Sequence, residues 1–249
     1  MERTELIMGM PITVSLPSAK SGEGADEAFA AVFSYFREID ERFSPYKPGS
    51  EVSRIARGEE KLEEASPQMA EVLRLCEETA RQTGGYFSAW YAGTFDPSGI
   101  VKGWAVHEAS RILDELGFRD HCVDAGGDIE ARGFNSEGGP WEIGIRNPFD
   151  PRTIVKVLRL RDRGIATSGT YIRGDHIYDP KTGLPKADGF ASLTVIGPDV
   201  LEADRLSTPA FAMGEEGLGF LTTTPGIEAY AVGADGIALF TPGLARYIS

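Results

Sequence analysis

The sequence predicts an α+β fold in which a mixed, largely antiparallel β-sheet core is covered by helices. Many short apolar runs are separated by glycine, proline and aspartate turn signals, which is typical of antiparallel strands. Between these runs, several segments repeat apolar residues at helical spacing. A chain of 249 residues can bury a sizeable core, and no linker or repeat divides it. We therefore expect a single domain over residues 1–249.

The first half of the chain is predicted to hold one strand and three helices. The strand lies within residues 7–16, and the helices cover residues 25–43, residues 66–84 and residues 101–116. In the first helix, aromatic and aliphatic residues recur every three or four positions, which indicates a face packed on the core. Residues 42–54 contain two prolines and a glycine, and we expect a polar loop there.

The second half is predicted to be mainly β-structure. A strand over residues 121–129 contains Gly126 and Gly127, which favour a bulge or a close backbone approach. Further strands are expected over residues 141–146, 153–160, 164–168 and 191–196, and a closing hairpin joins residues 227–232 to 236–240. We expect His107 to be exposed on its helix and His121 to lie at a strand edge.

Composition restricts the class of partner. The formal net charge of −13 argues against a protein that binds nucleic acid through a basic surface. An anionic ligand would need a local cation, a lysine or a helix N-terminus. Cys76 and Cys122 are too few for a disulfide framework or a zinc cluster, and we expect both to be packed thiols.

The sequence also bears on location. No apolar run approaches the ~18 residues of a membrane span. The first residues lack a basic segment followed by an apolar one, so no signal peptide is visible. We expect a cytoplasmic protein, or an exported one whose leader was removed.

Two residues near the end of the chain suggest a metal site. Asp204 and Thr208 are four residues apart, so on a helix they share one face. Their oxygens are hard ligands that suit magnesium or calcium. The alternative is that both are solvated or capping residues. Upstream, His176 precedes a turn formed by Asp179, Pro180 and Gly183.

A second segment suits phosphate. Residues 96–103 place two glycines and Lys102 at a helix entry, where free N–H groups and a cation can contact negative charge. The alternative is a glycine turn with a solvated Lys102. The aromatic and glycine-rich residues 86–95 before it favour a loop that lines a ligand.

Several of these segments, taken together and in order, resemble the ApbE family, the FAD:protein FMN transferases. The resemblance rests on the His-Ile-Tyr-Asp-Pro-Lys-Thr-Gly turn over residues 176–183 and the Ala-Asp-Arg-Leu-Ser-Thr helix over residues 203–208. Further matches are the Met-Gly pair at residues 8–9 and residues 42–54, 96–103, 124–129 and 167–171. The chain departs from the family in a shortened segment between Phe87 and Asp96, in Ser88, and in Thr170.

The resemblance implies a T-fold-like domain and a set of site residues. The metal shell would be the Gly99 carbonyl, Asp204 and Thr208. His176 and Asp204 would be catalytic, with His176 activating an acceptor hydroxyl; the alternative for His176 is a strand histidine that donates to the Asp179 turn. We expect a structural role for Asp128. The residues expected to contact FAD are Met8, Tyr46, Ser50, Glu51, Asp96, Gly99, Lys102, Thr167, Ser168, Gly169, His176 and Asp179.

The implied activity is Mg²⁺-dependent transfer of FMN from FAD to a threonine or serine hydroxyl of an acceptor flavoprotein, with release of AMP. FAD is then a substrate, and the acceptor protein is a partner. Two alternatives stay open at this point. One is a metal-dependent FAD pyrophosphatase, in which water replaces the acceptor. The other is a non-catalytic FAD-binding protein.

Overall fold

The computed structural model describes residues 1–18, 22–91, 93–169, 181 and 189–248. The strands in these ranges are β1 Glu2–Ile7, β2 Met10–Ser15, β3 Trp90–Tyr91, β4 Thr94–Phe95, β5 His121–Ala125, β6 Asp128–Arg132, β7 Trp141–Arg146, β8 Ile154–Leu160, β9 Arg163–Gly169, β10 Phe190–Gly197, β11 Glu228–Gly233 and β12 Ala238–Phe240. The α-helices are α1 Glu23–Phe43, α2 Glu51–Ala56, α3 Pro67–Gln82, α4 Ser98–Glu115, α5 Val200–Met213 and α6 Glu215–Thr223.

The strands build one large sheet and two hairpins. The large sheet has eight strands in the order β1-β2-β5-β6-β9-β10-β11-β12, while β3-β4 and β7-β8 pair separately. Every strand pairing among the described residues is antiparallel. The predicted α+β class with a largely antiparallel sheet is therefore confirmed, without the parallel pairs that a mixed sheet would add.

Helices and the β7-β8 hairpin cover opposite faces of the sheet. Ala166 of β9 packs with α5, whereas its neighbour Ile165 packs with β8. Adjacent residues of a strand point to opposite faces, so α5 and the hairpin lie on different sides. Helices α1, α3 and α4 share a core with β2 and β5, in which the aromatic face of α1 is buried.

Most predicted elements are present, and two α-helices were missed. The helices expected over residues 25–43, 66–84 and 101–116 correspond to α1, α3 and α4. The end of the expected polar loop is instead helix α2, whose first turn is capped by Ser50. Helix α6 was not predicted, because two of its nine residues are threonine and two are glycine, which are weak helix formers.

The prediction of one bulged strand over residues 121–129 was wrong. Gly126 and Gly127 have φ angles of 63° and 102°, and they form the turn between β5 and β6. A two-residue hairpin turn with positive φ at both positions strongly favours glycine. A pair of glycines inside a β-like run is compatible with either structure, so the local sequence did not decide between them.

The prediction that His107 is exposed was also wrong, whereas His121 is the first residue of β5 and so lies at the end of a strand. His107 is half-buried, and its Nδ1 lies 3.8 Å from Oε2 of Glu130. His121 is fully buried, and its Nε2 shares a 2.6 Å hydrogen bond with the Ser110 hydroxyl. Burial lowers the pKa of His121, whereas contact with Glu130 raises the pKa of His107. Cys76 and Cys122 are buried free thiols, as expected.

No helix within the described ranges is both long and apolar enough to cross a bilayer.

Candidate functional site

The candidate site is centred where helices α4 and α5 meet. The Gly103 N–H of α4 donates a 2.8 Å hydrogen bond to Oδ2 of Asp204 on α5. A Cβ at position 103 would lie 2.6 Å from the Asp204 Cβ and 3.0 Å from the Val200 carbonyl oxygen. Ordinary contacts are longer than this, so only glycine lets the two helices approach closely enough for the bond. The close packing therefore fixes the Asp204 carboxylate against the α4 backbone.

A second carboxylate and a lysine adjoin Asp204. Asp128, the first residue of β6, forms an ion pair with Lys102 of α4 and is almost fully buried. Burial, followed by the charge of Asp128, raises the pKa of Asp204 to about 8, against the opposing effects of Lys102 and the Gly103 N–H. One lysine does not offset two adjacent buried carboxylates, so this part of the site favours a proton or a cation.

Asp124, at the end of β5, adds a third carboxylate. Its Oδ1 accepts a 2.7 Å hydrogen bond from the Gly127 N–H. Burial raises the pKa of Asp124, the charge of Asp128 adds to the rise, and Arg146 and Lys102 oppose it. Asp128 therefore interacts electrostatically with both Asp124 and Asp204. The local charge thus favours cation binding.

The predicted metal ligands are Gly99, Asp204 and Thr208. No three His, Cys, Asp or Glu side chains in the described part of the chain are arranged as a metal site, so carbonyl and hydroxyl oxygens would have to complete the shell. Gly99 is four residues before Gly103, and in a regular α-helix its carbonyl accepts the Gly103 N–H. A carbonyl oxygen has two lone pairs, so the Gly99 oxygen keeps capacity for a cation even while it accepts that N–H. The donor set is hard and fits Mg²⁺.

Hydroxyl groups connect β9 to α5, the helix that carries Asp204 and Thr208. The Ser168 hydroxyl lies 2.8 Å from that of Ser207 and 3.3 Å from that of Thr208. The Thr167 N–H donates a 3.3 Å hydrogen bond to Oδ1 of Asp128. Thr167, Ser168 and Gly169 end β9, so the strand places these predicted ligand contacts beside Thr208 and Asp128.

Asp96 lies just before α4. Its Oδ1 accepts a 2.9 Å hydrogen bond from the Ser98 N–H, and its own N–H donates to the Ala89 carbonyl at 2.8 Å. The carboxylate thus caps the start of α4, the helix that carries Gly99 and Lys102. The expected aromatic loop before it contains the short β3-β4 hairpin, in which Trp90 is about half exposed.

His176 and Asp179 lie outside the described residues, as does Thr170. Lys181 of the same turn motif is described, and its Nζ lies 3.7 Å from the centre of the Tyr86 ring. Tyr86 begins the aromatic segment that leads to Asp96. This contact brings one residue of the His176–Gly183 motif beside the segment before α4.

Four of the predicted FAD contacts lie in the N-terminal part of the chain. Met8 forms the β1-β2 turn with a φ of 55° and lines an open pocket of about 470 Å³ together with Lys47. Tyr46, next to Lys47, is 91% exposed. The residues that line this pocket do not include Asp204, Asp128 or Lys102. The structure thus brings Met8 near the 44–50 loop without joining either to Asp204.

Ser50 and Glu51 have clear structural contacts. The Ser50 hydroxyl accepts a 3.0 Å bond from the Ser53 N–H and caps α2. Glu51 is buried, and its two oxygens accept the N–H and hydroxyl of Ser66 at 2.6 and 2.7 Å. Ser66 caps α3, so Glu51 joins the starts of α2 and α3. These bonds account for both residues without a ligand.

Two residues of the site were not predicted from the sequence to belong to it. Asp128 was expected to be structural, and it does accept a backbone N–H, but it also adjoins Asp204 and Lys102. Gly103 was considered only as the last residue of the segment that suits phosphate. Its contact with Asp204 joins residues 101 positions apart, and nothing in the local sequence indicates it.

Comparison with known proteins gives consistent results. A protein named FAD:protein FMN transferase from Haemophilus influenzae is 39% identical over 131 residues, which cover 49% of this chain and 38% of that protein. One of the same name from Escherichia coli K12 is 33% identical over 150 residues, covering 57% of this chain and 43% of that protein. The matched parts therefore span about two fifths of the length of these relatives.

Solved structures agree in fold. The flavin transferase ApbE from Vibrio cholerae, in a mutant form, superposes with a TM-score of 0.88 and 21% identity, covering 100% of this chain and 99% of that one. The ApbE protein from Thermotoga maritima gives a TM-score of 0.86 with 22% identity and the same coverage. The model of the ApbE family matches residues 8–94 and 90–231. The chain therefore belongs to the ApbE family.

Proposed function

We propose that this protein is an FAD:protein FMN transferase, which moves FMN from FAD to a threonine or serine hydroxyl of an acceptor flavoprotein and releases AMP. The observation that carries the proposal is the buried Asp204 carboxylate, held by the Gly103 N–H beside Lys102 and Asp128. The names of the relatives give the activity class.

The start of α4 is suited to the pyrophosphate of FAD. Pro97 precedes the helix without a side-chain cap, and Asp96 accepts the Ser98 N–H. Ile100 and Val101 donate their N–H groups to the Pro97 carbonyl, so within the described residues the Gly99 N–H is the one left for an anion. The positive end of the helix dipole also favours negative charge there. Lys102, one turn along, adds a cation whose charge Asp128 balances in the free protein.

Asp204, Thr208 and the Gly99 carbonyl would hold the divalent ion. A bound Mg²⁺ supplies electrostatic stabilisation of the charge that develops on the phosphate oxygens. This chain's own residues set the geometry for it. Gly103 orients one oxygen of Asp204, and the contact between Ser168 and Thr208 restrains the hydroxyl one turn further along α5.

The acceptor hydroxyl must lose its proton as its oxygen bonds to phosphorus and the bond to AMP breaks. We assign this proton to His176, because an imidazole titrates near neutral pH and can accept a proton within hydrogen-bond reach. A transferase must also leave water unactivated while the acceptor is held in line. The short segment between Phe87 and Asp96 leaves room at the site for a segment of another protein.

The test is the mass of an acceptor domain after incubation with the protein, FAD and Mg²⁺. The proposal expects the acceptor to gain the mass of FMN less one water, together with one AMP for each acceptor modified. Asp204→Asn should abolish the gain, while Glu216→Gln, an exposed change on α6, should not. Rapid formation of FMN and AMP without any acceptor gaining mass would instead identify a pyrophosphatase.

A further inference from the structure

Glu130 is a buried acid that the proposed chemistry does not use. It lies on β6, two residues after Asp128, and its side chain is fully buried. Residues two apart in a strand share a face, so Glu130 lies on the same side of the sheet as Asp128. A buried carboxylate is costly unless it is paired and hydrogen-bonded. Its partners should therefore indicate what it does.

The Glu130 carboxylate contacts elements on several sides. Its Oε2 accepts a 2.6 Å hydrogen bond from the Val200 N–H, at the first residue of α5. The same oxygen lies 3.8 Å from Nδ1 of His107 on α4, and Oε1 forms an ion pair with Arg132 of β6. A carboxylate at a helix N-terminus satisfies a free N–H and is favoured by the helix dipole. Glu130 thus joins β6, α4 and α5.

These contacts lie one helical turn from the Asp204 contact. Val200 precedes Asp204 by four residues on α5, and His107 follows Gly103 by four residues on α4. Residues four apart lie on one face of a helix. Glu130 therefore contacts the same faces of the two helices that meet at the Gly103–Asp204 hydrogen bond. It is placed to set their relative position at that point.

Close packing around Val200 leaves the start of α5 little freedom to take a different position. A Cβ at Gly164 of β9 would lie 1.9 Å from the Val200 nitrogen, so the start of α5 rests directly on the strand. Glu130 supplies the polar contact at this place, because it accepts the N–H of the same residue. The start of α5 is thus held by close packing and by one carboxylate.

We propose that Glu130 is a positioning residue for Asp204. By fixing the start of α5 against β6 and α4, it holds the Asp204 carboxylate in contact with the Gly103 N–H. The kinetic part of this inference rests on the proposed transferase function. The structural part concerns the protein alone.

A matched pair of variants separates positioning from general stability. Glu130→Ala removes the bond between β6 and α5. Asp199→Ala removes the N-cap of the same helix, where Oδ1 of Asp199 accepts the Glu202 N–H at 2.8 Å, within α5 itself. Both should lower the melting temperature by several degrees, on the order of 2–4 °C or more. Only the Glu130 change should release Asp204. Glu130→Gln, which keeps an acceptor for the Val200 N–H, covers the case in which Glu130→Ala does not fold.

The first readout is amide hydrogen exchange at Gly103 without ligand or metal. We expect exchange at Gly103 to be faster by about tenfold or more in Glu130→Ala, near the wild-type rate in Glu130→Gln, and unchanged relative to neighbouring amides in Asp199→Ala. Equal acceleration along the whole of α4 in both alanine variants would show that Glu130 acts only on stability. This result does not depend on the enzymatic activity.

The second readout is the rate of FMN transfer. Misplacement of a reacting group by about 1 Å costs up to about 10²-fold, so kcat should fall about 10- to 100-fold in Glu130→Ala with a smaller change in KM. Glu130→Gln should recover most of kcat, and Asp199→Ala should stay within about twofold of wild type. Loss of kcat in Asp199→Ala as large as in Glu130→Ala would overturn the inference. A wild-type protein without transferase activity refutes the proposed function, while the exchange experiment still decides the role of Glu130.

Discussion

Replacement of Gly103 by alanine tests the geometry of the candidate site most directly. The new Cβ would lie 2.6 Å from the Asp204 Cβ, whereas ordinary contacts begin at 3.4 Å. Asp204 or its helix must therefore move by roughly 0.8 Å, the difference between these distances. The Val200 carbonyl, 3.0 Å from the same Cβ, restricts movement in a second direction. The hydrogen bond from residue 103 to Asp204 should be strained or lost.

Two opposing effects set the change in stability. Alanine is favoured over glycine inside a helix by about 1 kcal/mol. Overpacking a close contact costs about 1–3 kcal/mol. We expect the free energy of unfolding to fall by about 1 kcal/mol, which urea denaturation can measure. Transfer activity should fall much further, by about 10²-fold, because a shift near 1 Å displaces a group that the reaction needs.

Gly219 provides the matched control. It lies in helix α6, is exposed, and a Cβ there would have no atom within 4 Å. Gly219→Ala should raise the free energy of unfolding by about 0.5–1 kcal/mol and leave transfer unchanged. If Gly103→Ala behaves like Gly219→Ala in both assays, the close contact between α4 and α5 does not position Asp204, and the reasoning is refuted.

Three further predictions follow from the site. Without divalent cations, the raised pKa of Asp204 should contribute to the free energy of unfolding fully below pH 3.8, because the folded state keeps a proton that the unfolded state releases. This contribution should be lost as the pH rises through about 8. Urea titrations over this pH range should show the loss, and Asp204→Asn should remove the pH dependence. Calorimetry with Mg²⁺ should show tighter binding of FAD than of FMN, since only FAD offers the pyrophosphate to the start of α4, and equal affinities would contradict that placement. His176→Ala should keep FAD binding but lose transfer to the acceptor, as measured by its mass, and a variant that still transfers FMN would exclude His176 as the base.

Asp204 also shows why substitution to alanine is a poor test of its chemistry. A carboxylate that served only a metal ion could be removed without harm to the fold. The structure places it at 6% exposure, bonded to the α4 backbone. Its loss removes the acceptor that the buried Gly103 N–H has outside α4, and a hydrogen bond of this kind contributes about 0.5–1.5 kcal/mol. Asparagine keeps an acceptor there and removes only the charge.

The sequence predicted those features that depend on neighbours along the chain. The periodic apolar residues of α1, α3 and α4 indicated helices, because the face of a helix is set by spacing alone. The resemblance to the ApbE family placed the motif carrying Asp204 and Thr208 on a helix, and α5 confirms that placement. The prediction that Gly99, Asp204 and Thr208 bind metal stays a prediction.

Contacts between segments that are far apart in the sequence could not be predicted from the spacing of residues. Glu130 was not singled out from the sequence, since nothing near it indicates that its partner is the Val200 N–H, 70 positions away. His107 was expected to be exposed for the same reason, because its helical position gave no sign of the buried carboxylate beside it. Both errors concern the surface between β6 and the two helices, which exists only once the sheet has formed.

The charge of the site resolves an apparent conflict with that of the whole protein. A chain with a net charge of −13 should repel the pyrophosphate of FAD, and without a cation the carboxylates of Asp124, Asp128 and Asp204 would add to this repulsion. These carboxylates instead make the site favourable for a cation, because their mutual repulsion is relieved when a positive ion lies between them. A bound cation would then attract the phosphates. On this reasoning, the acidic cluster promotes binding of an anionic substrate only together with the metal, and FAD and the cation should each strengthen the binding of the other.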